Sequence, residues 1–313
     1  MKVSIIGAGN VGGLTAIQLC SQGVSEIVLV DAVKGLACAK ALDLSDAKFI
    51  LKQNYLIRGT EDISQIKGSQ ILIITAGLPR KPGMKREELA LKNSQIIKGI
   101  SQQIKHLCPE AVIIVVTNPL DAMTYCVIKE TQLPERRIFG MGLTLDRSRL
   151  ANLIAEELNI PVSEIEPCVI GSHGEAMLPL SGYTKVKGSA LDKQLEPEVI
   201  GRIFQKTVKR GAEIVSYLGS GSAYFAPSTA IVELAKAIID DKQRILPVSV
   251  YLKGEYGLKD ICIGLPCCLG KNGVERVVEL ELNTKEREAF LESAESIKKQ
   301  ISAINNSTKK CLT

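Results

Sequence analysis

A histidine set between glycines, in Gly171-Ser-His173-Gly-Glu175, is shaped for proton transfer rather than for a packed core. The chain has two histidines, and imidazole is the side chain whose ordinary pKa lies nearest neutrality, so His173 is the general acid/base candidate. The other, His106, falls near a helix C-terminus, where partial positive charge is mildly favoured and no chemistry is required. Asp146-Arg-Ser-Arg149 places a carboxylate and a guanidinium one helical turn apart on one face. Such an aspartate can orient and charge-stabilise an imidazole, and such an arginine can fork a carboxylate. Taken alone, that pair reads better as an ordinary helical salt bridge. Pro79-Arg80-Lys81-Pro82-Gly83-Met84-Lys85-Arg86 gathers four cations within seven residues. They repel one another, so the segment reads either as a solvated basic loop or as a mobile lid whose arginines meet an anionic substrate.

Gly7-Ala-Gly9-Asn10-Val11-Gly12 is a GxGxxG sequence that follows an apolar strand and opens a helix. Roughly 20 residues on, Asp31 ends the next strand, which is the spacing of a dinucleotide site. Gly7 allows the tight turn, Gly9 lets the backbone approach a pyrophosphate, and Gly12 allows close helix–strand packing. The free amides of the helix N-terminus then attract phosphate. Asp31 can accept bonds from ribose hydroxyls and repels a 2′-phosphate, so NAD is expected over NADP.

These residues need elements to hold them. Val3–Ile6, Glu26–Val30, Gln70–Thr75 and Ala111–Val116 are apolar runs without alternation, as in strands covered on both faces. Helical spacing over Asn10–Gln22, Gly35–Ala47 and about Glu87–Leu107 separates them. Strand alternating with helix implies an α/β fold, a Rossmann-type doubly wound parallel sheet, followed by a C-terminal α+β substrate domain. The later half is read as helix Asp146–Leu158, strand Ile165–Ile170 and helices Pro197–Tyr217 and Pro227–Asp240. Antiparallel strands Ile245–Leu252, Ile261–Leu269 and Val274–Leu282 follow, then a helix Lys285–Ala303 capped by Thr284, and a frayed tail. The expected division is an NAD-binding domain over 1–143, a catalytic domain over 144–304 and a polar tail over 305–313.

Composition narrows the class. The 313 residues are 45% hydrophobic and 23% charged, as in an ordinary globular protein, and no run of about 20 apolar residues offers a membrane span. The net charge of +5 is mild and its lysines are scattered, so a nucleic-acid partner is not expected. Nine cysteines at irregular spacing, with no CxxC pair, read as free thiols in a reducing cytoplasm, and no metal site is expected. Met1 leads straight into a strand, leaving no room for a signal peptide.

GAGNVG, TAGLPRKPGMKR, VVTNPLD, the DxxR helix, GSHGE, GSAYFAPS and VYLKGEYGLKDICIGLPCCLGKNGVE stand in the order found in the lactate/malate dehydrogenase family. From Val3 to about Ile304 the chain resembles that family, and within it the malate dehydrogenases that are like lactate dehydrogenases. The resemblance implies NAD-dependent, reversible oxidation of (S)-malate to oxaloacetate, a role in the tricarboxylic acid cycle, and a homo-oligomer, with a tetramer expected and a dimer the alternative. It implies His173 as proton acceptor and donor, Asp146 as its orienting partner, and Arg149 on the substrate's C1 carboxylate. Arg86 would polarise the reacting carbonyl and Arg80 would hold the second carboxylate. Asn118 would hydrogen-bond near the reacting oxygen, while Asn93, Val116 and Thr117 would line the cofactor with Gly7, Gly9, Asn10, Val11, Gly12 and Asp31. Leu143, Arg147, Ser148, Glu175 and Lys209-Arg210-Gly211 depart from the family's usual residues without removing a catalytic group. A lactate dehydrogenase, or another 2-hydroxy-acid dehydrogenase, is the alternative on the same machinery. An idle NAD-binding sensor would need none of His173, Asp146 and Arg149, and an NAD-dependent glycosidase would need a Cys/His metal pair.

Overall fold

The computed structural model describes residues 1–78 and 86–310, the side chains of residues 86, 87 and 307–310 excepted. Its first half is strand and helix in alternation: β1 (Lys2–Ile6), α1 (Asn10–Ser21), β2 (Glu26–Val30), α2 (Leu36–Leu51), β3 (Leu56–Thr60), β4 (Ile71–Ile74), α3 (Arg86–Leu107), β5 (Val112–Val115), α4 (Leu120–Thr131) and β6 (Ile138–Gly140). The strands pair in parallel in the order β3-β2-β1-β4-β5-β6. Every residue of β4 and β5 is buried, which is why those strands read as unbroken apolar runs rather than alternating ones. The chain order reverses between β1 and β4, so a crevice opens at the carboxyl ends of these strands. Gly7 and Thr75 both lie there, the Thr75 hydroxyl donating to the Gly7 carbonyl at 2.8 Å.

The second half continues the sheet instead of standing apart from it. It contains α5 (Gly142–Leu158), β7 (Ile165–Glu166), β8 (Val169–Gly171), β9 (Met177–Pro179), β10 (Lys185–Val186), β11 (Ser189–Ala190), α6 (Pro197–Leu218), α7 (Phe225–Asp240), β12 (Arg244–Lys253), β13 (Lys259–Gly270), β14 (Gly273–Val277) and α8 (Thr284–Lys310). Ser249 of β12 pairs with Gly140 of β6, β12 and β13 run antiparallel, and Gly264 of β13 pairs with Gly171 of β8. The C-terminal end of β8, and the segment that follows it, are thereby brought beside the parallel sheet. The buried face of α8 is Phe290, Ala294, Ile297 and Ile301, spaced as one helical stripe.

Several boundaries differ from the sequence reading, each for a local reason. The strand expected over Ile165–Ile170 is two strands. Pro167 has no N–H for a ladder, and β7 joins a small sheet with β10 and β11 while β8 joins the large one. Helix α5 starts at Gly142, a turn before the expected Asp146, so Asp146 sits inside the helix. The cap of α8 is Asn283, not Thr284: its Oδ1 accepts from the Glu286 N–H at 3.0 Å and Glu286 returns a bond to the Asn283 N–H at 3.0 Å. That reciprocal pair outcompetes the lone threonine hydroxyl. The helix then runs to Lys310, replacing most of the expected frayed tail. The last antiparallel strand stops at Val277 rather than Leu282.

Candidate active site

The turn after β1 has the form of a phosphate cradle. Gly7 holds φ at +111°, and a Cβ there would strike Thr75 and Ala76; a Cβ on Gly12 would strike the Gly7 carbonyl, whereas at Gly9 nothing lies within 4 Å. Open space at Gly9, the N-cap of α1, coincides with a helix end that no side chain caps. The amides of Asn10, Val11 and Gly12 thus face a gap suited to an anion. Asp31 supports the turn, its carboxylate accepting from the Ala8 N–H at 2.6 Å and the Val33 N–H at 2.9 Å. Lys40 of α2, unremarked in the sequence, donates to the Gly9 carbonyl at 2.7 Å. Burial lowers the Lys40 pKa, while the neighbouring Asp31 pulls it up.

On the other side of the crevice, Val116, Thr117 and Asn118 follow β5. The Thr117 hydroxyl donates to the Ala76 carbonyl at 2.7 Å, tying two strand ends together. Asn93 is buried, and its amide is spent within the chain: Oδ1 accepts from the Leu78 N–H at 2.8 Å and Nδ2 donates to the Asn118 carbonyl at 2.7 Å. It ties Leu78 to Asn118, which is itself exposed. Arg80 lies outside the described residues, and Arg86 is described only as the first residue of α3.

His173 and Asp146, far apart in sequence, meet. The imidazole Nδ1 lies 2.7 Å from Asp146 Oδ2, and Arg149 Nη1 lies 3.2 Å from Oδ1 of the same carboxylate. Asp146 is fully buried, so its charge is available only to these two partners. Gly142 makes the approach possible, because a Cβ there would collide with the His173 ring. For His173, burial disfavours the charged form. The charge and hydrogen bond of Asp146, aided by Asp121, overcome that and the repulsion of Arg149, so the pKa is raised. With Nδ1 held by Asp146, Nε2 is the nitrogen left for proton exchange.

Two residues that the sequence reading did not single out fasten the segment carrying His173. Asp121 Oδ2 accepts from the His173 N–H at 2.9 Å and from the Ser172 hydroxyl at 3.1 Å. Ser293 of α8 accepts from the Ser172 N–H at 2.8 Å and donates to the Ala176 carbonyl at 2.7 Å. Asp121 stands at the end of the VVTNPLD motif, which was the available signal; Ser293 carried none.

Residues 1–140 match the model described as lactate/malate dehydrogenase, NAD binding domain, and residues 143–308 the model described as lactate/malate dehydrogenase, alpha/beta C-terminal domain. The chain belongs to the lactate/malate dehydrogenase family. It is 47% identical over 303 residues to a malate dehydrogenase of Methanosarcina acetivorans, covering 97% of this chain and 99% of that one. A malate dehydrogenase of Trichormus variabilis is 45% identical over 300 residues, 96% of this chain and 93% of that one. Among solved structures, the apo malate dehydrogenase of Picrophilus torridus superposes with a TM-score of 0.95 at 37% identity, covering 99% of this chain and 98% of that one. A lactate dehydrogenase of Cryptosporidium parvum, complexed with lactic acid and nicotinamide adenine dinucleotide, gives 0.94 at 34% identity, with 97% and 98% covered.

Several of the residues that depart from the family's usual ones lie beside this site. Leu143 is buried where a Cβ on Gly264 would meet it, and Arg147 forms a two-point bond with Glu233 at 2.7 Å to each oxygen. Gly211 lies against the Arg149 guanidinium, and Arg210 turns outward toward Glu156 and Glu213.

Proposed function

We propose that the protein catalyses the reversible, NAD-dependent oxidation of (S)-malate to oxaloacetate. The observation that carries this reading is the buried Asp146 carboxylate shared by His173 and Arg149, an acid/base and a carboxylate-binding cation fixed side by side. The relatives named above as malate dehydrogenases, similar over nearly the whole chain, support the choice of malate.

The cradle at Gly7, Gly9 and Gly12, with the amides of Asn10 and Val11, fits the pyrophosphate of NAD, and Asp31 fits the adenosine ribose. Bound there, the cofactor's nicotinamide supplies or accepts the hydride. The protein holds the substrate and moves the proton. Arg149 forks the C1 carboxylate, Arg80 takes the distal carboxylate, and Asn118 and Arg86 bond the reacting oxygen. In reduction, protonated His173 delivers the Nε2 proton to the developing alkoxide while Asp146 stabilises the imidazolium. In oxidation, neutral His173 removes the hydroxyl proton. Reduction of oxaloacetate by NADH, with the product identified as (S)-malate, tests the reading; no turnover of oxaloacetate would end it.

The pH dependence follows from the raised His173 pKa. Reduction needs the protonated ring, so its rate holds below that pKa and falls as pH rises through it; oxidation rises over the same interval. Asp146→Asn removes the charge that favours the imidazolium. The pH–rate profile for reduction should then break at lower pH, and an unmoved break would show that Asp146 does not set the acid.

Asp31 sets cofactor choice in this proposal. Its carboxylate would face the 2′-phosphate of NADPH, so the wild-type enzyme should turn over NADH far better and Asp31→Ser should narrow the gap. Equal turnover of both cofactors by the wild type would refute that role.

The proposal extends to a cytoplasmic enzyme of the tricarboxylic acid cycle, divided into an NAD-binding unit over 1–143 and a substrate unit beyond it. No helix of the described residues is long and apolar enough to cross a membrane. It also extends to a homo-oligomer, tetrameric rather than dimeric. Leu42, Phe49 and Ile50 on α2 are 70%, 90% and 81% exposed, an apolar face that suits a second copy of the chain. Sedimentation as a monomer at assay concentration would contradict it.

A further inference from the structure

The segment between β8 and β9 must present His173 to the crevice, yet it is not held there by strand pairing. It leaves the sheet at Gly171, where φ is +91°. The next two amides are both taken by side chains: Ser172 N–H by Ser293 Oγ at 2.8 Å and His173 N–H by Asp121 Oδ2 at 2.9 Å. The same serine hydroxyl closes on the Ala176 carbonyl at 2.7 Å, so one side chain grips the segment near both ends. Asp121 and Ser293 are 3% and 2% exposed, so neither bond competes with bulk water. They come from elements far apart in the chain. Asp121 lies in the first turn of α4, directly after the Thr117-Asn118 segment, and Ser293 lies in the last helix.

An uncharged acceptor would be enough to receive an N–H, and burying a carboxylate is costly. Burial accordingly pushes the Asp121 carboxyl up, opposed by Ser249, by the His173 N–H and charge, and by the Ser172 hydroxyl. Oδ1 of Asp121 faces the Ser249 hydroxyl, and neither atom has another hydrogen-bond partner. These hydrogen-bonding partners are all uncharged, so they leave the charge of the carboxylate without an opposite one. The groups that bear on the pair are Asp146 and Arg149 from α5, Ser249 from β12 and Cys262 from β13, whose thiol burial keeps protonated. Arg149 is already engaged by Asp146. Among the described residues, the positive charge that bears on Asp121 is the imidazolium of His173.

We propose that Asp121 and Ser293 are positioning residues for proton transfer, together clamping residues 172–176, with the Asp121 carboxylate also serving as a second counter-charge to protonated His173. Ser293 fixes where the ring stands, and Asp121 fixes both its place and its charge. The inference rests on the reading of His173 as acid/base, but the clamp and the charge link can be measured without turnover.

The test compares Asp121→Asn, Asp121→Ala and Ser293→Ala with the parent. The imidazole of His173 is titrated by NMR in the cofactor-free enzyme, with His106 as the internal control, and kcat and NADH affinity are measured beside it. In Asp121→Asn the His173 pKa falls while His106 is unmoved, and kcat falls with NADH affinity retained. Asp121→Ala also loses the N–H acceptor, so its kcat drops further, by on the order of 10–10²-fold, as expected for a misplaced catalytic group. Ser293→Ala lowers kcat while the His173 titration stays put, separating position from charge. The proposal is overturned if Asp121→Asn leaves both the His173 titration and kcat at parental values, even where its melting temperature is lower. Failure of the parent to reduce oxaloacetate would instead overturn the function, leaving the titration to decide the clamp.

Discussion

Replacing His173 by asparagine is expected to lower kcat by on the order of 10²–10⁴-fold, the range that general acid/base catalysis contributes. NADH affinity should stay near the parental value, because the cradle at Gly7, Gly9 and Gly12 lies after β1 and shares no hydrogen bond with His173. Asparagine can still bond to Asp146 but has no proton to give at neutral pH. The substitution therefore removes proton transfer and leaves the neighbouring geometry largely in place. Stopped-flow reduction and NADH fluorescence titration measure the two quantities separately. A variant that keeps a tenth of the parental rate would mean that another group carries the proton.

Arg80→Gln should change which substrate is preferred. Oxaloacetate carries a carboxylate where pyruvate has methyl hydrogens. Two charge-assisted hydrogen bonds from an arginine to that carboxylate contribute about 1.5–3 kcal/mol each before desolvation. In the proposed role the same guanidinium would face pyruvate without a counter-charge, so Arg80 would both favour oxaloacetate and penalise pyruvate. For Arg80→Gln, kcat/KM for oxaloacetate should fall by several orders of magnitude while that for pyruvate rises. Arg86→Gln should slow both, since the reacting carbonyl is common to the two substrates. An oxaloacetate-to-pyruvate ratio unchanged in Arg80→Gln would remove Arg80 from the distal carboxylate.

The sequence was most legible where chemistry and local geometry coincide. The glycines at 7, 9 and 12 are demanded by a turn and a helix start a few residues long, so spacing alone could reveal them. His173 was legible because glycines on either side exclude a packed core. Its meeting with Asp146 needed the family pattern as well, since the 2.7 Å contact joins α5 to a segment after β8. Asp121 and Ser293 were not legible as positioning groups. Their work is to accept main-chain N–H groups from a distant loop, and that leaves no mark on residue type or periodicity. Ser293 adjoins Ala294 on an apolar stripe and reads simply as a small helix residue. Asn93, expected at the cofactor, also has a bracing role that its type and position did not announce, bonding Leu78 and Asn118. Boundaries shifted where a pairwise bond decided them, as at Asn283 and Glu286, or where Pro167 divided one apolar run between two sheets.

The most direct test of malate specificity is the ratio of kcat/KM for oxaloacetate to that for pyruvate, measured on the wild-type enzyme with NADH under one set of conditions. The account predicts a ratio of several orders of magnitude in favour of oxaloacetate. A ratio near one, or in favour of pyruvate, would contradict it.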